Sequence, residues 1–291
     1  MTTIIKSHYI QMDTRFWGPS GWRLLHLMTF TYKPDHNKEE IRRVFDTLPF
    51  VLPCKFCRCS LTEYMEEDPI EPALKSRSAL SKWLWRIHNK VNDKLRDQGL
   101  LNEENPPFDT VLKVYEERVD AGCIKTDFEG WDFLFSIAEN HPFSPSSKNS
   151  LPMEGCPSSS EKLCFKEKNR WNLLKPEERY EKYVEFWESI GGALPFQEWI
   201  DAFREAGLQK GALESRATWI KELWRIRCSM EKNLELVNRE KFQSLCKRIR
   251  EHRSGCGKKP RARTCRKSKS SSASSGTRGV TVKIHKIPLN N

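Results

Sequence analysis

The chain has 291 residues, 37% hydrophobic and 31% charged, which is long enough for two domains of ordinary size and apolar enough to build their cores. No run of ~18 apolar residues occurs, which excludes a transmembrane helix, and residues 1–11 lack the apolar core of a signal peptide, so a soluble chain is expected. The net charge of +11 belongs to one end: residues 247–291 carry 14 Lys/Arg against Glu251 alone, a net +13, leaving the first 246 residues at −2.

After a short arm (1–12), residues 13–125 read as one helical unit. Trp17-Gly18-Pro19-Ser20 is a helix-start signal with Ser20 as the N-cap, and Trp22, Leu25, His26, Thr29 and Phe30 then share one face. A second helix is expected over 38–48, stopping near Pro49. Pro53 opens a third with Cys54 in its first turn, where the missing proline N–H is not needed. Ser78 or Ser81 starts a fourth that runs to Leu95, and 108–119 makes a fifth. No segment alternates with period two for long enough to be a strand, so the fold class is all-α.

Pro- and Ser-rich residues 141–160 lie in a linker, 126–170. A second helical domain of unknown role follows over 171–253, with Tyr180, Tyr183, Val184, Trp187 and Ile190 on one stripe and Trp219, Leu223, Ile226 and Met230 on another. The basic, Ser-rich tail, 254–291, is expected to be disordered, with 280–287 forming a short strand only against a partner.

Of ten cysteines, only Cys54, Cys57 and Cys59 cluster as a site would. A Cys-x-x-Cys pair at a helix N-terminus favours the thiolate through the helix dipole, and Lys55 adds a positive charge. The competing reading is half of a zinc site, but structural zinc needs four ligands and no second Cys-x-x-Cys exists, so no metal is expected. His252, Cys256, Cys265 and His285 are too irregularly spaced to change that. Trp22 and His26 stand one helical turn apart, and Trp85, His88 and Asn92 are neighbours at i+3 and i+4. Each pair alone reads as core packing. Two of them flanking a Cys-x-x-Cys offer what a planar, polar-rimmed cofactor needs.

The motifs Trp17-Gly-Pro-Ser-Gly-Trp-Arg-Leu-Leu-His26, Tyr32 with Pro34, Pro53-Cys-Lys-Phe-Cys-Arg58, Trp83-Leu-Trp-Arg-Ile-His-Asn-Lys-Val-Asn92 and Pro107-Phe-Asp109 occur in that order. Together they resemble the Erv/ALR family of FAD-linked sulfhydryl oxidases. The resemblance implies a bundle of four helices plus a short fifth, a homodimer, and FAD held by Gly18, Trp22, His26, Tyr32, Cys57, His88, Asn89, Val91, Asn92 and Lys94. It further implies that Cys57 lies against the flavin and that Cys54 exchanges with protein dithiol substrates, with molecular oxygen as acceptor and hydrogen peroxide as product. A large-DNA-virus member acting in host cytoplasm, and in the virion, is the expected setting; the mitochondrial intermembrane space is the alternative.

The departures are specific. The family commonly has a structural disulfide between the positions held here by Trp85 and Thr110, and packing of Trp85 would have to replace it. Its Gly-Lys-Pro after the Val-Asn is replaced by Arg96-Asp97-Gln98-Gly99. A shuttle pair is open, with Cys156 and Cys164 as candidates and Cys59 and Cys123 unassigned. Trp224-Arg225-Ile226 echoes Trp85-Arg86-Ile87, either as a degenerate second copy or as an ordinary amphipathic helix. The rival to an oxidase is a redox-inactive flavin-fold scaffold that binds nucleic acid through the 254–279 tail.

Overall fold

The computed structural model describes residues 12–148, 150–157 and 162–253. The arm, the tail, the 254–279 nucleic-acid reading and the 280–287 strand lie outside the described residues.

Helix α1 (Thr14–Phe30) starts earlier than Ser20. Asp13 is its N-cap and accepts from the Arg15 backbone N–H, so Pro19 falls inside the helix. That position is tolerated because proline only removes the donor for the Arg15 carbonyl, and Arg15 is exposed to water. Helix α2 (Pro34–Val51) likewise runs through Pro49, with a kink at Asn37. The carbonyls that a helix end leaves unpaired are taken here by distant side chains. Asn169 donates to Pro49 O at 3.0 Å, Arg179 to Phe50 O at 3.4 Å, and Arg58 to Leu52 O at 2.9 Å.

Helix α3 (Lys55–Glu67) has Cys54 as its N-cap, and a 3-10 turn, Glu71–Lys75, precedes α4 (Arg77–Asp97). The cap of α4 is Ser76, whose hydroxyl accepts from Ala79 N, and α5 is Phe108–Asp120. The span read as linker contains α6 (Trp131–Glu139), which is buried along its length, and the four-residue α7 (Pro145–Lys148). His141, at its Pro-rich start, is wholly covered, donating from Nε2 to Leu213 O at 2.7 Å. Composition marks this stretch as a loop, but its apolar residues pack onto α1.

Helices α8 (Phe165–Arg170), α9 (Pro176–Ile190) and α10 (Gln197–Ala206) follow. A second 3-10 turn, Lys210–Glu214, leads into α11 (Arg216–Asn233), and α12 is Phe242–Glu251. The described residues hold helices, turns and one isolated bridge, Met12–Arg253. None of the described helices is long and apolar enough to cross a membrane.

One continuous core joins the first four helices to the rest. Trp187 on α9 is 0% exposed and meets Trp219 edge-on, ring centroids 4.7 Å apart. Trp187→Ala should therefore cost about 3–5 kcal/mol in urea unfolding, the range for a large aromatic deleted from a packed core. A cost near zero would mean that this half contributes little to the common core.

Candidate active site

Helices α1 and α4 cross so that Trp22 stacks on His88, rings 3.8 Å apart and 11° from parallel. His26 Nε2 lies 3.1 Å from His88 Nδ1, and Tyr115 from α5 stacks on His26 at 5.0 Å. Burial holds both imidazoles neutral. The His88 pKa falls to about 4, and that of His26 falls well below the usual value, with His88 as a second cause. In such a pair one ring donates and the other accepts. The outer nitrogen of His26, Nδ1, is buried without a partner among the described residues.

The titration has a consequence. Neutral-buried histidines bind fewer protons than their unfolded counterparts, so their stabilisation is complete above about pH 6.5 and is lost as pH falls toward 4. For His88 the loss should reach about 3 kcal/mol. Urea midpoints between pH 7 and 4.5 should show this slope, and His88→Asn should flatten it. An unchanged slope in that variant would disprove a buried neutral His88.

Cys54 and Cys57 occupy the cap and first turn of α3, with Cys54 3% exposed and Cys57 half-buried. Accessibility therefore favours Cys57 over Cys54, the sulfur expected to exchange with substrate. Arg58 is the feature the sequence reading left without a role. Its guanidinium is 3% exposed and donates to Leu52 O and, at 2.8 Å, to Asn172 Oδ1. Burial lowers its pKa to about 10, while the Cys54 and Cys57 sulfurs pull it up, so it stays charged beside both at neutral pH. Asn172 sits at φ 56° and also donates to Leu151 O at 2.8 Å, the carbonyl that accepts from Lys55 Nζ at 2.9 Å. Two cations thus flank the Cys-x-x-Cys, and a residue 114 positions away fixes one of them.

The antiparallel pairing of α3 and α4 links the two clusters. Lys94 Nζ donates to Ser60 Oγ at 2.5 Å, and Tyr64 Oη to Lys90 O at 3.4 Å. Tyr64 is seven residues past Cys57, ~10 Å along the axis. Gly18 faces open space, while Asn89 and Val91 are half-buried on α4. Asn92 donates to Asn105 Oδ1 at 3.0 Å. Tyr32 stands apart from this group, 1% exposed, with its hydroxyl donating to Leu74 O at 2.8 Å.

Trp85 donates from its indole to Pro106 O at 3.0 Å and meets Phe108 edge-on at 5.9 Å, tethering the start of α5 without a disulfide. Arg96 donates to Glu103 O at 3.0 Å and so serves the 102–105 loop. Two of the other thiols, Cys59 and Cys123, are held toward the protonated form. Burial pushes Cys59 up to about 11, and raises Cys123 as well. Cys156 is half-buried and Cys164 is exposed at the start of α8.

Residues 19–112, about a third of the chain, match the model of the Erv1 / Alr family. This stretch is similar to the Erv1 / Alr family. Its residues 19–112 run from the Pro19 turn of α1 into α5 and contain the Cys-x-x-Cys and both Trp/His helices. Curated relatives include the mitochondrial FAD-linked sulfhydryl oxidase ERV1 of Saccharomyces cerevisiae, 33% identical over 87 residues, covering 29% of this chain and 45% of that protein. A protein of Acanthamoeba polyphaga mimivirus named as a probable FAD-linked sulfhydryl oxidase is 33% identical over 85 residues, 28% of this chain and 59% of its own length. An invertebrate iridescent virus 3 protein whose name also carries FAD-linked sulfhydryl oxidase is 28% identical over 95 residues, 31% of this chain and 64% of its own. The chain spans about half to two thirds of these relatives, and the match leaves the second half unaccounted for. No solved structure matches significantly.

Proposed function

We propose that the chain is an FAD-dependent thiol oxidase that makes disulfides in protein substrates. The observation that carries this reading is a Cys-x-x-Cys flanked by buried positive charge, on a helix paired with the one that carries His88. The residues suit FAD. Trp22, His26, His88 and Tyr115 form one stacked aromatic cluster, and His26 Nδ1 is an unsatisfied buried polar atom of the kind a ligand satisfies. In this reading Gly18, Asn89, Val91, Asn92 and Lys94 supply the remaining contacts to FAD, and Tyr32 acts only through the core, where its hydroxyl is held by Leu74 O.

In the oxidised enzyme the cap of α3 opens to uncover Cys54, which is 3% exposed, and a substrate thiolate attacks it in its disulfide with Cys57, forming a mixed disulfide and releasing Cys57 as the thiolate. The substrate's second thiolate attacks that mixed disulfide, leaves as a protein disulfide and frees Cys54. Arg58 and Lys55 stabilise the thiolates that form at each step. Bound FAD supplies the two-electron relay from the dithiol to oxygen. The balance is 2 R-SH + O2 to R-S-S-R + H2O2. The two viral relatives support a viral setting, in host cytoplasm, and the mitochondrial name of the yeast relative supports the alternative in the intermembrane space.

An oxygen electrode tests this directly. Purified protein with FAD and dithiothreitol should consume one oxygen and release one peroxide per disulfide formed. No oxygen uptake with FAD present would overturn the proposal.

A further inference from the structure

Residues 71–94 and 210–233 align without a gap, with nine identical positions: Ala73/Ala212, Leu74/Leu213, Ser76/Ser215, Arg77/Arg216, Lys82/Lys221, Leu84/Leu223, Trp85/Trp224, Arg86/Arg225 and Ile87/Ile226. The local structure repeats with the sequence. Each stretch is a five-residue 3-10 turn, then an extended serine that caps a helix by accepting from the backbone N–H three residues on.

The correspondence extends upstream. Helices α2 and α9 begin at Pro34 and Pro176 and bury the same register: Ile41/Tyr183, Val44/Phe186, Phe45/Trp187, Thr47/Ser189 and Leu48/Ile190. Each then reaches a Leu-Pro, 52–53 or 194–195, before an extended N-cap, Cys54 or Phe196, that opens the next helix. In α1 and α6, Gly21-Trp22 corresponds to Gly130-Trp131, which puts Leu24 opposite Phe133 in the alignment.

The docking has the same symmetry. The two largest contacts between the halves are α2 against α9 and α1 against α6, each helix meeting its own counterpart. A Cβ built on Gly21 would lie 2.9 Å from the Phe133 ring, and one on Gly130 would lie 2.7 Å from Leu24. Residue i thus meets j while the counterpart of i meets the counterpart of j, the signature of a two-fold interface.

The second copy has lost the chemistry. Cys54 and Cys57 correspond to Phe196 and to Trp199, which is 0% exposed. His26 becomes Phe135, and His88 and Asn92 become Arg227 and Glu231. Those last two form a buried ion pair of 2.6 Å, with the guanidinium 5.5 Å over Trp131, the counterpart of Trp22. Where the first copy stacks an imidazole on its tryptophan, the second is closed by charge.

We propose that α6 and α9–α12 are an emptied second copy of α1–α5 that covers the α1/α2 face as a built-in partner. The chain is then a monomer with one Cys54/Cys57 site per molecule, in place of the homodimer that the family resemblance implies. This holds whether or not the site oxidises thiols, so its test does not depend on activity.

Sedimentation of the full chain at micromolar concentration should return one species of 34.2 kDa, and a species of twice that mass would overturn the proposal. The interface itself is read by a double-mutant cycle. Gly21→Leu should lower the thermal midpoint by about 5 °C in the wild type and by nothing further in a Phe133→Ala background. An equal drop in both backgrounds would remove Phe133 from the α1 face and contradict the docking.

Discussion

Replacing Cys57 with serine should reduce dithiol-driven oxygen uptake about 1000-fold or more, to the uncatalysed background, while leaving the fold intact. Serine is close in size, and Cys57 is half-buried in the first turn of α3, so packing changes little. The chemistry changes completely, because in the proposed mechanism Cys57 is the sulfur that must leave, return and pass electrons onward. The same variant leaves Cys54 as a lone thiol with no disulfide for a substrate thiolate to attack, so intact mass after exposure to reduced substrate should show no mixed disulfide at Cys54. Cys59→Ser is the control. Burial pushes that thiol up to about 11, so it supplies almost no thiolate at pH 7, and its loss should leave uptake unchanged. Uptake that survives Cys57→Ser would remove the Cys-x-x-Cys from the mechanism.

The second large effect falls on Arg58. Arg58→Met removes the buried cation beside both sulfurs, which disfavours the thiolate and raises the pKa of the active thiol. The pH–rate profile should move alkaline by about 1–2 units, and activity at pH 7 should fall about tenfold or more. Asn172→Ala keeps the charge and removes only the group that fixes it, so its profile should shift less. Arg58→Lys should lie between them, since a lysine cannot reach Leu52 O and Asn172 Oδ1 as a fork does. A purely structural Arg58 would lower stability in Arg58→Met and leave the shape of the pH profile unmoved.

The residues of the first cluster were legible because their spacing is local. Cys54 and Cys57 lie within one turn, Trp22 and His26 within another, and helical periodicity alone puts each pair on one face. The ends of α1 and α2 were misplaced for a physical reason. Asp13 caps α1 through its own side chain ahead of the more familiar Pro-Ser signal, and α2 continues past Pro49 because Asn169, Arg179 and Arg58 take its last carbonyls. Nothing near Pro49 in sequence announces partners 120 and 129 positions away. Asn172 was invisible for the same reason, whereas Arg58 stood in plain view beside Cys57 and lacked only its burial. The Trp224-Arg225-Ile226 echo was too short to weigh against any amphipathic helix. It gains its meaning from the repeated 3-10 turn and serine cap, which are properties of the fold.

The central claim is that the Cys-x-x-Cys reduces a bound flavin, and anaerobic titration of the full chain tests it most directly. Wild-type protein should retain one FAD per chain and lose its visible flavin absorption on addition of two equivalents of dithiothreitol, one for the Cys54–Cys57 disulfide and one for the flavin, whereas Cys57→Ser should hold the same FAD and stay coloured. Protein that binds no FAD, or a Cys57→Ser flavin that bleaches as readily as the wild type, would contradict the account.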